Sequence, residues 1–262
     1  MIREKVIWIT GASSGIGEAL AYELSKYDNK IILSARRESE LQKVRSQCLY
    51  PENIRIVPLD LLKFEQMETY VKLALECFGS IDILINNGGI SQRSLIAETS
   101  FLVDKQIMET DYLGTIALTK ALLPHFLAKK QGYYVTVTSL MGKFGTPYRS
   151  SYCGAKHALH GFFDVLRMEH EKDGIDVTLI CPGFVNTNVA KNALTGSGKK
   201  QVTNDKATQN GLSPEVFSTR MIKAMKKKKF EAYIGRKEIL GVYLKRFFPR
   251  YLHRFVLKST IK

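Results

Sequence analysis

Residues Val6 to Gly17 read V-I-W-I-T-G-A-S-S-G-I-G, a short apolar and β-branched run that breaks at a glycine. Such a run predicts a buried strand, and the glycines after it, Gly11, Gly15 and Gly17, predict a tight turn opening a helix. Pyrophosphate binding is the chemistry that needs this arrangement. Glycines permit the turn, let the backbone approach a phosphate and let the helix pack closely, while the helix N-terminus offers free N–H groups and a positive dipole end. Gly11, Ser13, Ser14, Gly15, Ile16 and Gly17 are therefore candidate cofactor contacts. No G-K-[ST] is present after the turn, which argues against a P-loop nucleotide hydrolase. An ordinary strand–helix turn is the competing reading of these residues alone.

The same alternation continues outward. I-I-L-S, I-R-I-V-P-L-D, I-D-I-L-I-N-N, Y-Y-V-T-V-T-S and D-V-T-L-I-C-P-G are each set between amphipathic stretches. Strands apolar throughout and separated by helices imply a parallel sheet covered on both faces. The expected fold is α/β, a doubly wound Rossmann-like parallel sheet of about seven strands in a single domain over residues 1–262. That length, with 45% hydrophobic residues, suffices for a sizeable core.

The end of the second strand bears on the cofactor. NAD-binding folds place an acid there, roughly 20 residues past the glycines, to hold the ribose hydroxyls. Here the chain reads S-A-R-R, with Ala35 about where the acid would be and Arg36 and Arg37 after it. A carboxylate repels a 2′-phosphate and a guanidinium binds it, so NADP(H) is expected over NAD(H), with Arg36 the direct contact. Solvated arginines at a helix start are the alternative.

Ser151 to Ala158 reads S-Y-C-G-A-K-H-A. On a helix, Tyr152 and Lys156 sit one turn apart on one face, which brings an ammonium near a phenol and favours the phenolate. A phenol ordinarily loses its proton near pH ~10, so a fixed cation is one way to make it a usable acid or base near neutrality. Tyr and Lys at this spacing also occur on solvated helix faces.

Taken together, T-G-A-S-S-G-I-G, N-N-G-G at Asn86 to Gly89, Ser139, Y-x-x-x-K at Tyr152 and Lys156, and P-G-F-V-N-T at Pro182 to Thr187 resemble the short-chain dehydrogenase/reductase family, in that family's order. The wording is similar to its NADP-using branch of member 7-type and 11-β-hydroxysteroid dehydrogenase-like proteins. The resemblance implies that Ser139 hydrogen-bonds a substrate oxygen, that Tyr152 transfers the proton, and that Lys156 assists it and holds the nicotinamide ribose. It implies that Asp60 and Leu61 contact adenine, that Asn87 and Gly88 lie along the ribose, and that Pro182, Gly183, Val185 and Thr187 surround the carboxamide. Asp111, in T-D-Y-L-G, stands where the family usually has an asparagine. Its carboxylate is expected either to pair with Lys156 or to stay protonated through burial. Gly88 replaces the usual alanine, with a small expected effect. Residues 189–212 occupy the place of a mobile substrate loop, and Phe144, Tyr148 and Phe184 suggest an apolar carbonyl or alcohol substrate or mere packing.

The remaining features set limits. Cys48, Cys77, Cys153 and Cys181 are scattered, as in a reducing cytoplasm, and the five histidines show no metal-ligand spacing, so no metal is expected. A strand that begins at once leaves no signal peptide expected, and no run approaches the ~20 apolar residues of a membrane span. Of the net charge of +14, residues 226–262 carry twelve Lys and Arg against two Glu. This basic C-terminal extension, interleaved with aromatics, predicts peripheral contact with an anionic membrane, packing on another subunit, or a cover for the chain's own pocket. A basic tail alone gives only non-specific attraction to nucleic acid. Apolar neighbouring faces on the helices at 112–129 and 152–171 predict a homodimer or homotetramer. The chain is expected to be an NADP(H)-dependent oxidoreductase acting on a small-molecule carbonyl or alcohol, the alternative being a non-catalytic cofactor-binding protein or membrane adaptor.

Overall fold

The computed structural model describes residues 2–259. Its first half runs β1 (Val6–Thr10), α1 (Gly15–Leu24), β2 (Lys30–Ser34), α2 (Glu38–Gln47), β3 (Ile54–Ile56) and α3 (Met67–Phe78). It continues with β4 (Ile83–Asn86), α4 (Phe101–Ile107), a π turn at Met108–Leu113, α5 (Gly114–Lys129), β5 (Gly132–Val137), α6 (Ser150–His170) and β6 (Ile175–Pro182). α7 (Lys206–Gln209), α8 (Pro214–Lys226), β7 (Glu231–Ile234), α9 (Leu240–Phe247) and α10 (Pro249–Lys258) complete it.

The seven strands form one sheet in the order β3-β2-β1-β4-β5-β6-β7, every neighbouring pair parallel. Side chains alternate across it. Ile7, Ile9, Ile31 and Leu33 pack on one face with Leu20, Leu24 and, from α8, Phe217 and Met221. Trp8, Ile32, Leu84 and Tyr134 pack on the other with Leu118, Leu122 and Phe126 of α5 and Leu159 and Phe163 of α6. With both faces covered, every strand position can be apolar, which is why these runs carry no alternation in sequence.

Strand order reverses between β1 and β4: β2 and β3 lie to one side, β4 onward to the other. In open parallel sheets a crevice opens past the carboxyl ends of such a pair. Gly11 and Asn87, the residues directly after β1 and β4, face each other there.

The C-terminal stretch differs from the expected extension. It begins inside α8, and Glu231–Ile234 pairs with β6 as the seventh strand, Leu179 opposite Glu231. Only α9 and α10, beyond β7, are appended to the sheet; residues 260–262 of the expected extension, and residue 1, lie outside the described residues. Segment 189–212 is tied down by Leu194 N–H donating to Ser91 O at 2.8 Å and by Asn186 N–H donating to Leu212 O at 2.8 Å. Among the described residues no helix is long and apolar enough to cross a membrane.

Candidate active site

One cavity of about 1130 Å³ opens over the carboxyl ends of the strands. Its first wall is the turn after β1. Gly11 and Gly15 take φ of +64° and +61°, left-handed values that only glycine adopts freely. Thr10 Oγ1, which opens the glycine motif but is not among its candidate contacts, accepts from the N–H of both Asn87 and Gly88 at 3.0 Å, and Asn87 Nδ2 donates to Thr10 O and Gly11 O. These bonds lock the turn to the strand across the crevice. Gly17 is placed differently from the expectation: it does not line the cavity but lies beneath the turn, where a Cβ would come within 2.4 Å of Gly11 O. It is a packing glycine.

The turn suits a pyrophosphate. Gly15 N–H is taken by Glu18 Oε2 at 3.2 Å, whereas the N–H groups of Ser13, Ser14 and Ile16 find no acceptor among the described residues. Unsatisfied N–H groups at a helix N-terminus are a ready anion site. Arg36 and Arg37, both exposed, line the cavity at the end of β2, as do Asp60 and Leu61 after β3, Asn87 and Gly88 after β4, Pro182 at the end of β6, and Gly183, Val185 and Thr187 after it. Asp60 Oδ1 accepts from Leu62 N–H at 3.2 Å, a local turn that fixes its carboxylate.

The reactive end is built on α6 and the end of β5. Tyr152 and Lys156, one turn apart, both face the cavity, with Lys156 Nζ 5.6 Å from the centre of the Tyr152 ring. Ser139 is buried with extended backbone at the end of β5, lines the same cavity, and accepts from Met141 N–H at 3.1 Å. Its hydroxyl proton is left for another acceptor. Phe144 and Phe184 also line the cavity; Tyr148 does not.

Asp111 lies on the π turn, fully buried. Its Oδ2 stands 3.1 Å from Lys156 Nζ, an ion pair without good hydrogen-bond alignment, while Oδ1 accepts from Ile90 N–H at 2.7 Å. Its backbone carbonyl accepts from Thr115 Oγ1 at 2.9 Å. Of the two outcomes expected for this acid, the geometry is that of a direct pair with Lys156. Burial raises the Asp111 carboxyl above the ordinary carboxylate range. Burial works against the Lys156 ammonium too, but the facing carboxylate outweighs it and holds that pKa above its usual value. Lys156 also donates to Val137 O at 3.4 Å.

Behind this end lies a polar hub that no sequence pattern announces. Glu231 of β7 pairs with Lys143 and accepts from Tyr233, and His160, one turn beyond Lys156 on α6, brings Nδ1 to 2.9 Å without hydrogen-bond alignment. Burial opposes its ionisation, yet these donors hold its carboxyl down at about 2. His160, Cys181 and Glu231 are close enough to share an ion. The donor set fits an internal hub better, because the carboxylate is already engaged by Lys143 and burial pushes the Cys181 thiol up to about 12. Gln92 was likewise unforeseen: its Oε1 accepts from Ser151 N–H at 3.0 Å, tying the loop after β4 to the start of α6.

A family model described as short chain dehydrogenase matches residues 5–198. The human dehydrogenase/reductase SDR family member 7 is 42% identical over 255 residues, covering 95% of this chain and 75% of that protein. A short-chain dehydrogenase/reductase from Burkholderia phymatum, solved in complex with NAD, shares the fold at a TM-score of 0.83 with 21% identity, over 99% of this chain and 97% of that one. ElxO, solved with NADP bound, aligns at a TM-score of 0.67 with 31% identity, over 70% of this chain and 75% of that one.

Proposed function

Because the chain belongs to the short-chain dehydrogenase/reductase family, an oxidoreductase family, we propose that it interconverts a carbonyl and a secondary alcohol with NADP(H). The observation that carries this reading is a single cavity lined both by the glycine turn with Arg36 and by Ser139, Tyr152 and Lys156. A pure cofactor binder needs the first set and not the second.

The glycine turn, Arg36 and Lys156 would hold a nicotinamide cofactor, which would supply or accept the hydride. Ser139 Oγ–H donates to the substrate oxygen and fixes its position. Tyr152 gives its phenolic proton to that oxygen as negative charge develops on it. Lys156, kept charged by Asp111, stabilises the phenolate left behind. Lys156 and Asp111 are themselves shielded from bulk water, which strengthens their pairing. The preference for NADP(H) rests on Arg36 and Arg37 and on the absence of an acid at Ala35; ElxO with its NADP and the Burkholderia phymatum protein with its NAD bracket the choice.

An apolar substrate body is supported by α9 and α10, whose Leu244, Leu252, Phe255 and Val256 line the cavity. These helices expose Phe247, Phe248, Tyr251 and Leu257 among Arg246, Arg250, Arg254 and Lys258, which supports peripheral contact of a cytoplasmic protein with an anionic membrane. Exposed Leu113 at the end of the π turn, just before α5, and Val165 and Met168 on α6 support a homo-oligomer.

The test is NADPH oxidation across a panel of ketones, aldehydes and steroids, beside Tyr152→Phe. Turnover that the variant lacks is the expected result. Tight NADPH binding with no turnover by either protein would move the weight to a cofactor-binding regulator.

A further inference from the structure

A second charged group faces the same cavity, and proton transfer does not use it. Arg93 lies in the loop after β4, Arg149 immediately precedes α6 and Asp205 immediately precedes α7. Asp205 Oδ2 accepts from Arg93 Nε at 3.0 Å and from Arg149 Nη2 at 3.1 Å, and Arg93 Nη2 stands 3.0 Å away as an ion-pair contact. The side chains of Arg149 and Asp205 are only 5% and 4% exposed. Two guanidiniums against one carboxylate leave a positive charge where little water can screen it.

Hydrogen bonding leaves Arg149 underused, although Asp205 Oδ1 is itself buried without a partner among the described residues. Arg93 also donates to Ser91 Oγ at 2.9 Å and Gln92 O at 2.7 Å, so most of its fork is engaged. Arg149 has only Asp205 and a long 3.4 Å contact with Thr146 Oγ1 among the described residues, for the five N–H bonds of a guanidinium. Burial and the neighbouring Arg93 push its pKa down to about 10, as for a cation short of counter-charge. Just before it, Tyr148 holds a left-handed φ of +68°, which a tyrosine adopts only under constraint.

Placement gives the group a function. Arg93 and Arg149 line the cavity, and so do Lys200 and Lys206 of the 189–212 segment, while the apolar lining comes from α9 and α10. Arg149 stands three residues before Tyr152 at the start of α6, and both line the cavity. We propose that Arg149, supported by Arg93, is an anion-binding subsite beside Tyr152, and that the substrate is an amphiphilic carbonyl compound with a carboxylate or phosphate near the reacting carbon and an apolar body. This rests on the oxidoreductase reading above. The rival is a structural staple: an ion triad that only holds segment 189–212 against α6.

Four phenyl ketones of one chain length separate these, ending in a carboxylate, its methyl ester, a phosphate monoester or the free alcohol. Affinity for the NADP-loaded full chain is measured by calorimetry, and turnover by NADPH oxidation. The charged member of each pair is expected to bind about 10-fold tighter or more than its neutral partner, the scale of a charge-assisted hydrogen bond in a closed site. The larger of the two ratios tells carboxylate from phosphate. Arg149→Gln should collapse the ratio toward one, Arg149→Lys should retain part of it, and Asp205→Asn, which frees both guanidiniums, should raise it. A staple predicts instead that Arg149→Gln and Asp205→Asn weaken charged and neutral probes alike. Equal affinity for charged and neutral probes in the unmodified protein overturns the proposal. Preferential binding of the charged probes with no turnover of any ketone would keep the subsite and count against the reductase.

Discussion

Asp111→Asn is the most informative single substitution. Asparagine keeps an oxygen for Ile90 N–H, now 2.7 Å from Oδ1, but removes the charge 3.1 Å from Lys156 Nζ. Lys156 would then be a buried ammonium whose remaining contact is the Val137 carbonyl at 3.4 Å. Breaking a buried pair costs about 3–5 kcal/mol, and a lysine that can shed its proton should fall at the lower end, near 3 kcal/mol. For a chain of this size that is a loss of about 6–12 °C in Tm. The kinetic sign comes from the same pair. In the unmodified protein Lys156 sits above its ordinary 10.5, so its stabilisation is complete below pH 10.5 and is lost as pH rises through the higher folded value. Without the carboxylate, burial is opposed only by the weaker influence of Tyr152, and the direction should reverse, to below 10.5. The alkaline limb of kcat/KM should therefore move to lower pH. Thermal melting at neutral pH and a pH–rate profile into the alkaline range read both effects. An unchanged profile together with a Tm within about 1 °C would refute the ion pair, since a protonated Asp111 is nearly isosteric with asparagine.

Arg36→Ala should raise KM for NADPH by ~10-fold or more and leave KM for NADH unchanged, the loss of one guanidinium–phosphate contact; equal changes for both cofactors would mean Arg36 is a solvated helix-start residue. Glu231, held at about 2 against an ordinary 4.5, contributes stability that is present above pH 4.5 and lost as pH falls through about 2. Its full size is about 3 kcal/mol, and Glu231→Gln should abolish that acid-side slope in denaturant titrations below pH 4.5. Replacing exposed Phe247 and Phe248 with serine should halve or better the fraction that sediments with phosphatidylserine vesicles, in a salt-sensitive manner; sedimentation indifferent to both changes would leave these helices as a cover for the cavity alone.

Local chemistry was legible where the physics is local. The strands read clearly because residues such as Ile7, Trp8 and Ile9, all wholly buried, are covered on both faces and need no polar partner in the pattern. Tyr152 and Lys156 read clearly because one turn of helix is enough to place them together. The features hidden from the sequence are long-range or backbone-borne. The π turn at Met108–Leu113 has no proline or glycine to announce it, and β7 comes after four consecutive lysines that read as surface. Arg149 and Asp205 stand 56 residues apart, and no periodicity links them. Gly17 was legible as a glycine that must be there, but only its place under Gly11 O shows that it serves packing rather than contact.

The two ion groups around Tyr152 divide the electrostatic work. Asp111 and Lys156 cancel, so that pair can keep a lysine charged at full burial without raising the net charge of the site. Arg93, Asp205 and Arg149 do not cancel, and their surplus positive charge faces the cavity that Tyr152 also lines. On the proposed mechanism, reduction of a carbonyl develops negative charge first on the substrate oxygen and then on Tyr152, so a fixed positive surplus would lower the energy of both. An anionic substrate would neutralise that surplus on binding, leaving Lys156 as the principal charge acting on the phenolate. A neutral ketone would leave it in place. Arg149 should therefore alter kcat for neutral ketones as well as affinity for charged ones, with only the charged-to-neutral ratio isolating its role in recognition.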